Sequence, residues 1–244
     1  MIYGNKLLWK SLGGTLPTIT THASLTTSLV GYWKLDETSG TTAYGEISGY
    51  NGTSLDTTST SGKISTSYQF NGSTAKVALP VFGSITVFTW SAWVYIPTGY
   101  SAPGIILAKA TETSPNYVGM LVNTDRTFAQ GGRNPANAYW VRTSTAVLPY
   151  NTWTHLVYVS NNNGQYGNIY INGVNQTSFT SEGITYNSTS TCNTHTIGKN
   201  IWDGRETYRF PFSGKIDEVA EWDRVLTAAE IADLYNAGAG LPYN

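Results

Sequence analysis

The sequence predicts an all-β protein, a sandwich of two antiparallel sheets followed by one short helix. Short segments rich in β-branched and aromatic residues recur at roughly 8–12-residue intervals, and Gly- and Asn-containing turns separate them, as is typical of β-sandwiches. With 244 residues, 40 % of them hydrophobic, the chain suits a single sandwich core. No repeat or linker divides residues 28–240. We therefore expect one domain over residues 28–244 and an N-terminal arm over residues 1–27.

The longest β-rich run, residues 85–96, is expected to form a central strand. Apolar residues occupy both of its faces, with Trp90 and Val94 on one and Trp93 and Tyr95 on the other. A strand that is apolar on both faces needs packing partners on both sides.

Two Asn-Gly pairs predict tight turns. Asn71-Gly72 is expected to join strands 67–70 and 75–79 as a type I′ hairpin, because Asn and Gly tolerate the positive φ that both central positions require. Asn172-Gly173 is expected to turn the chain directly after the predicted strand 167–171.

The last predicted strand contains an irregularity. Ile216, Val219 and Trp222 are spaced by three, which strict alternation in a strand does not allow, so a bulge is expected at Asp217-Glu218. Adjacent carboxylates at a bend are poor core residues, and they indicate either a calcium site or the capping of loop amides.

A short helix is expected after this strand. Thr227 is a candidate N-cap, and Glu230 three residues later completes a capping box. The apolar residues Leu226, Ile231, Leu234 and Tyr235 give the helix one buried face, and we expect Gly238 and Gly240 to end it.

Several motifs, in a consistent order over roughly residues 28–236, resemble the laminin-G-like, concanavalin A-like jelly-roll family. The family typically closes with a Gly-x-Ile-Asp-Glu-Val strand and a Leu-Ser/Thr-x-x-Glu-Ile helix, which residues 214–219 and 226–231 match. The upstream matches are the opening strand 29–37, the Phe-x-Gly turn at 70–72, the Thr-x-Ser-x-Trp strand at 89–93, the Trp-x-His strand at 153–155 and the Tyr-x-Asn-Gly hairpin at 170–173. The resemblance implies a concanavalin A-like jelly roll, a fold that hosts many functions.

The resemblance also implies a structural calcium ion, which the family often carries. First and last strands are commonly neighbours in a jelly roll, so the acidic residues near the two ends of the domain are expected to converge. The sequence departs from the family at Tyr44-Gly45-Glu46, where an Asp often stands. The predicted ligands are Asp36, Glu46, Asp217 and Glu218.

Catalysis is disfavoured by the spacing of the carboxylates. Asp217 and Glu221 lie four residues apart, or ~13 Å along a strand, whereas glycoside hydrolysis needs carboxyl groups ~5–9.5 Å apart. Glu221 and Asp223 fit better by spacing, but Asp223 directly precedes the helix. His155 is interpreted as a structural histidine, because no Ser or Cys pattern accompanies it. We therefore expect a protein that is not an enzyme.

Carbohydrate binding is the favoured activity. Sugars bind where an aromatic ring meets their C–H face and planar polar groups meet their hydroxyls. Two segments have that chemistry, although Trp140 and Trp202 are equally compatible with packing roles. The predicted ligand-binding residues are Trp140, Arg142, Trp202, Asp203, Arg205 and Tyr208.

Composition narrows the setting in which the protein acts. Only 12 % of residues are charged, against ~25 % in typical globular proteins, and the net charge is −1 with no basic run. We therefore expect no nucleic-acid partner and no membrane insertion. A single cysteine, Cys192, excludes an intrachain disulfide and favours a bacterial or viral source.

The first 27 residues are expected to anchor the domain to another protein. Tyr3, Leu8 and Trp9 are apolar residues in a polar segment and need burial elsewhere, while Leu7-Leu8-Trp9 is too short for the apolar region of a signal peptide. These features favour a phage virion surface protein, a capsid decoration or tail-associated adhesin, that attaches to virion structural proteins and presents its domain to host-surface glycans. The alternatives are an adhesion module of a bacterial extracellular protein, a glycan hydrolase and a ligand-free spacer. A mature fragment and self-association are both compatible with the sequence.

Overall fold

The computed structural model describes residues 23–47, 49–82, 87–111, 117–133, 139–160, 167–183, 192–200 and 210–241. Seventeen strands and two α-helices account for most of these residues. The strands are β1 (Leu29–Trp33), β2 (Thr42–Ala43), β3 (Gly52–Leu55), β4 (Thr58–Ser61), β5 (Thr66–Asn71), β6 (Lys76–Ala78), β7 (Phe88–Tyr95), β8 (Gly104–Ala110), β9 (Tyr117–Val122), β10 (Thr127–Arg133), β11 (Tyr139–Val147), β12 (Trp153–Ser160), β13 (Asn168–Ile171), β14 (Val174–Asn175), β15 (Phe179–Gly183), β16 (Thr194–Ile197) and β17 (Ser213–Trp222). The helices are α1 (Ala23–Thr26) and α2 (Ala228–Tyr235), and a 3₁₀ turn follows at Asn236–Gly238.

The strands form two antiparallel sheets, which confirms the predicted sandwich. The first sheet has the order β14-β13-β12-β7-β17-β5-β4, and β1 also pairs with β17. The second sheet has the order β15-β11-β10-β9-β8-β16-β6-β3-β2. Strand β7 lies between β12 and β17, so the run from which it forms is a central strand, as predicted.

Two apolar cores hold the domain together. The inner core lies between the sheets and includes Trp33, Trp90 and Phe128, all fully buried. The outer core lies on the other side of the first sheet and joins Trp222 to Ile231 of α2. Because both faces of β7 and β17 are covered, their residues are buried almost without interruption.

The predicted bulge is present in β17, and it redirects the side chains that follow it. The register between β17 and β7 shifts between Asp217 and Ala220, and Glu218 adopts a φ of 51°. Ile216 and Val219 therefore both enter the inner core. Alternation resumes after the bulge and places Trp222 on the opposite face, in the outer core.

The two Asn-Gly predictions have opposite outcomes. Asn172-Gly173 makes the tight turn between β13 and β14, with both residues at positive φ. The predicted hairpin at Asn71-Gly72 was wrong, because β5 belongs to the first sheet and β6 to the second. Asn71 Oδ1 instead accepts hydrogen bonds from the backbone amides of Ser73, Thr74 and Ala75, which shapes the crossing between the sheets.

Helix α2 begins as predicted and ends earlier than predicted. The Thr227 hydroxyl accepts from the Glu230 amide, and the Glu230 carboxylate accepts from the Thr227 amide, so the capping box is complete. The helix ends at Tyr235, and the left-handed conformation of Asn236 caps it. The expectation that Gly238 and Gly240 end the helix was wrong.

No helix among the described residues is long and apolar enough to cross a membrane.

Residues 23–27, which the sequence analysis placed in the arm, pack on the domain. Leu25 is fully buried in the outer core, and its carbonyl accepts from Trp222 Nε1 at 2.6 Å. Arg224 donates to the carbonyls of Ser24 and Thr27. The segment before β1 thus closes one side of the outer core, and the anchoring role of residues 1–22 stays a prediction.

A buried ionic cluster joins the two sheets. Lys109 Nζ of β8 lies 2.9 Å from Glu221 Oε2 of β17, and Oε1 of the same carboxylate accepts from His195 Nε2 of β16. Burial opposes the ionisation of Glu221, but the contacts with His195 and Lys109 outweigh it and lower its pKa to about 2. His195 Nδ1 faces the carbonyl of Pro80 at 3.0 Å, so both ring nitrogens face acceptors. The cluster therefore ties the sheets through charge as well as packing.

The substitution Glu221→Gln is expected to destabilise the protein strongly. It leaves the buried Lys109 ammonium without its counter-charge, and breaking a buried pair in this way costs about 3–5 kcal/mol. The control is Glu46→Gln, which breaks the half-exposed pair with Lys34 and should change the free energy of unfolding by no more than about 1 kcal/mol. Chemical denaturation of both variants makes the comparison, and equal losses would contradict the structural role assigned to the cluster.

Candidate functional site

The four acidic residues predicted as calcium ligands lie in one electrostatic neighbourhood at the β17 bulge. Burial is the largest cause of the raised pKa of Asp217 and of Glu218; the charge of Asp36 raises both further, and the charge of Glu46 adds to the rise at Glu218. The predicted convergence of the first and last strands is therefore correct, because β1 pairs with β17 at this place.

Asp217 caps a loop. Its side chain is fully buried, and Oδ2 accepts from the backbone amides of Lys63 at 2.7 Å and Ile64 at 3.1 Å. A Cβ on Gly62 would lie 2.7 Å from Oδ2, so the loop can approach the carboxylate this closely only with glycine there. Oδ1 has no hydrogen-bond partner among the described residues. Burial is the largest cause of a rise in the pKa of Asp217 to about 8.

Glu218 carries the second carboxylate of the bulge. Its side chain is nearly buried and accepts a hydrogen bond from the Tyr32 hydroxyl of β1. Burial raises the pKa of Glu218 to about 7, although the Tyr32 hydrogen bond and the charge of Lys34 oppose the rise. Both bulge carboxyls therefore keep a proton more readily than free side chains do.

Asp36 and Glu46 have protein partners of their own. Asp36 Oδ1 accepts from the Thr66 amide at 2.9 Å, and the Thr66 hydroxyl donates to the Asp36 carbonyl at 2.8 Å. Glu46 lies 3.5 Å from Lys34 Nζ at the surface. Each of these carboxylates thus has a local structural contact.

The described side chains do not fit a calcium ion. Ca²⁺ takes ~6–8 oxygen ligands, yet each of the four carboxylates is already held by amides, a hydroxyl or a lysine. Asp217 Oδ1 is the one oxygen of the four groups that is buried without a hydrogen-bond partner among the described residues. No group of three or more Asp, Glu, His or Cys side chains in the described part of the chain is arranged to hold a metal. Asp217 serves the second role that the sequence allowed, the capping of loop amides. Calcium stays a prediction.

His155 forms a buried pair with Ser91, a partner that the sequence analysis missed. Its Nε2 lies 2.8 Å from Ser91 Oγ, and both residues are almost inaccessible beneath α2. Burial lowers the pKa of His155 to about 3, so the imidazole is neutral. The ring packs against both Trp93 and Tyr235, which also contact each other. The cover of α2 keeps this pair from any large substrate, and its visible role is to pack the outer core.

Of the residues predicted to bind glycans, Arg142 is the one whose side chain the structure describes. Its Nη1 donates to the carbonyl of Gly167 at 2.7 Å, and Gln130 Nε2 donates to the same oxygen at 3.0 Å. Because Arg142 and Gln130 belong to the second sheet and Gly167 leads into the first, these bonds join the sheets. The glycan-binding role of Arg142 stays a prediction, and this contact does not support it.

The other five glycan-binding predictions are not resolved by the described residues. Trp140 is paired with Gly132 in the β10–β11 ladder, and the structure describes its backbone only. Trp202, Asp203, Arg205 and Tyr208 lie outside the described residues. Their proposed role is therefore a matter for experiment.

The ionic cluster of Lys109, His195 and Glu221 was also missed at the sequence level. One signal was present, because Lys109 ends the otherwise apolar run of residues 105–108, and a charge in such a run requires a buried counter-charge. The partners of Lys109 could not be identified from the sequence, because they lie on strands more than 80 residues away along the chain.

The raised pKa values of the bulge carboxyls make stability depend on pH. The folded values of about 8 for Asp217 and about 7 for Glu218 exceed the ordinary values of 3.8 and 4.5. The folded state therefore holds protons that the unfolded chain releases; this stabilisation is fully present below about pH 4 and is lost progressively as pH rises to about 8. We expect the melting temperature to fall from about pH 5 to about pH 8, as measured by calorimetry.

The control for this effect is Asp217→Asn. The amide oxygen still accepts from Lys63 and Ile64, but the side chain no longer titrates. The variant is expected to show a shallower fall over the same pH interval. A wild-type melting temperature that rises across this interval, or an unchanged slope in the variant, would show that these carboxyls are not the cause.

Comparisons with known proteins agree with the fold. A family model described as the concanavalin A-like lectin/glucanases superfamily matches residues 71–232. No curated protein sequence matches the chain. Domain 4 of AbnA, an extracellular arabinanase from Geobacillus stearothermophilus solved with arabinotriose, is similar with a TM-score of 0.66 and 19 % identity over 84 % of this chain and 97 % of that one.

Two further solved structures share the architecture. Trypanosoma rangeli sialidase in complex with sialic acid has a TM-score of 0.62 and 17 % identity over 88 % of this chain, but this chain spans only 34 % of the sialidase. The binding domain of botulinum neurotoxin serotype D has a TM-score of 0.61 and 14 % identity, with 86 % of this chain and 51 % of that one covered. At these identities the likeness is one of fold. With more than half of its residues matched by the family model, the chain belongs to the concanavalin A-like lectin/glucanase superfamily.

Proposed function

We propose that the chain is a non-enzymatic surface protein that binds carbohydrate, and that it acts on a phage particle as a capsid decoration or tail-associated adhesin for host-surface glycans. The observation that carries the carbohydrate part is the match to a lectin and glucanase superfamily over residues 71–232. The arabinanase domain solved with arabinotriose adds support, because this chain covers 97 % of that domain.

The use of the acidic side chains inside the fold supports binding rather than hydrolysis. Glu221 is buried against Lys109 and His195, and Asp217 is held by two loop amides. Hydrolysis requires a pair of accessible carboxyl groups on either side of a bound sugar. Neither of these residues is exposed to accept a glycan chain.

The virion part of the proposal comes from composition and the first residues. A low charged fraction of 12 % and apolar side chains at Tyr3, Leu8 and Trp9 favour an attached surface protein. The second candidate is a carbohydrate-binding module of a bacterial extracellular protein, which the likeness to the arabinanase domain favours.

Glycan retention tests the binding function. The full-length protein is applied to an array that includes arabino-oligosaccharides, sialylated glycans and neutral host-type glycans, with and without Ca²⁺. We expect retention on at least one class. Trp202→Ala and Trp140→Ala should each weaken glycan retention at least about tenfold without unfolding the domain. An aromatic ring stacked on a sugar contributes about one kcal/mol or more to binding. Unchanged retention removes that tryptophan from the site. If chelator changes neither glycan retention nor the melting temperature, the prediction of a bound calcium ion is wrong.

Deletion of residues 1–22 tests the attachment. The variant keeps every residue that the structure describes, including the buried Leu25, so its melting temperature should match that of the full chain. A virion protein is expected to lose particle incorporation, as measured by co-sedimentation with particles, and to keep glycan retention. Incorporation that survives the deletion would disprove the role of this segment in attachment.

A further inference from the structure

A polar cleft opens at the edge of the sandwich, and its lining includes none of the residues predicted to bind glycans. It has a volume of about 240 Å³ and lies between the segment that follows β1 and the edge strand β4. This volume would hold about eight water molecules at ~30 Å³ each, which suits one small ring-sized group. The cleft is lined by Glu37, Thr38, Ser39, Gly40, Thr57, Thr58, Ser59 and Tyr68.

The lining combines many hydroxyls with one carboxylate. Five Ser and Thr residues line the cleft together with Tyr68 and Glu37. Hydroxyls both donate and accept hydrogen bonds, while an ionised carboxylate only accepts. The described lining contains no Lys, Arg or His, so it does not suit a phosphate or sulfate group, and its single carboxylate does not suit a metal ion.

Glu37 is held in a fixed orientation on the cleft wall. Its Oε1 accepts from the Tyr44 amide at 2.6 Å, in a hydrogen bond that is exposed to solvent. Burial raises the pKa of Tyr68, and a hydrogen bond with the Glu37 carboxylate raises it further, so the phenol keeps its proton. A carboxylate oxygen accepts more than one hydrogen bond, so a ligand hydroxyl can donate to Oε1 beside the Tyr44 amide.

We propose that this cleft, formed by residues 37–40, 57–59 and 68, is a binding subsite for an uncharged sugar unit. The inference rests on the carbohydrate-binding function proposed above and places one point of contact within it. The Glu37 carboxylate accepts hydrogen bonds from sugar hydroxyls and repels acidic sugars, so the subsite selects neutral glycans over sialylated ones.

Two substitutions test the cleft. Ser59 is exposed on β4, and Ser59→Trp fills the cleft without replacing a buried residue. Glu37→Gln removes the charge while its amide oxygen still accepts from Tyr44. Their matched controls are Thr53→Trp on the exposed face of β3 and Asp56→Asn, which removes an exposed carboxylate next to the cleft but outside its lining.

Binding is measured by titration calorimetry with arabinotriose and with the neutral and sialylated oligosaccharides that the wild-type array retains. We expect Ser59→Trp to weaken neutral-sugar binding at least about tenfold and Glu37→Gln by about threefold to tenfold, with both controls within about twofold of wild type. All four variants should keep the wild-type melting temperature.

The outcomes separate the cleft from the wider function. Loss in the two cleft variants with intact controls supports the subsite. Wild-type affinity in both cleft variants, while Trp202→Ala or Trp140→Ala loses binding, overturns the subsite and leaves carbohydrate binding standing. Tighter wild-type binding of sialylated than of neutral sugars overturns the proposed selectivity. A wild-type protein that retains no glycan overturns both the subsite and the proposed function.

Discussion

The bulge in β17 determines which way the side chains of the last strand point. A regular strand would send Ile216 and Val219 to opposite faces, but the extra residue at the bulge lets both enter the inner core. Alternation then resumes with Glu221 facing the second sheet and Trp222 facing α2. One local irregularity therefore supplies the inner core, the ionic tie between the sheets and the anchor of the outer core.

This arrangement bears on function because it determines which carboxyl groups a ligand can reach. Glu221 neutralises Lys109 between the sheets, and Asp217 holds the loop that reaches over the bulge. Their carboxyl groups stabilise the fold, and their burial separates them from any polymer in solution. A ligand must therefore be recognised by surface loops and edges, where hydroxyl-rich segments such as residues 57–59 lie.

Local patterns in the sequence predicted the local features of the structure well. The spacing of apolar residues predicted the bulge, and Thr227 with Glu230 predicted the start of α2. Features that depend on which strands pair across long stretches of sequence could not be predicted from such local patterns. The Asn71-Gly72 pair has the chemistry of a hairpin turn, but pairing of β5 with β17 takes the chain to a different sheet. The partners of Lys109 and the amides bound by Asp217 likewise come from distant segments, and no local pattern identifies them.

The proposed function requires that the molecule hold a carbohydrate without cleaving it. Protein retention and the release of reducing ends can be followed in one sample, with the protein incubated on the insoluble polysaccharide that it binds best. We expect the protein to be retained and reducing ends to stay at the level of a protein-free control. Release of reducing ends that grows with time and with protein concentration would show that the protein is a hydrolase.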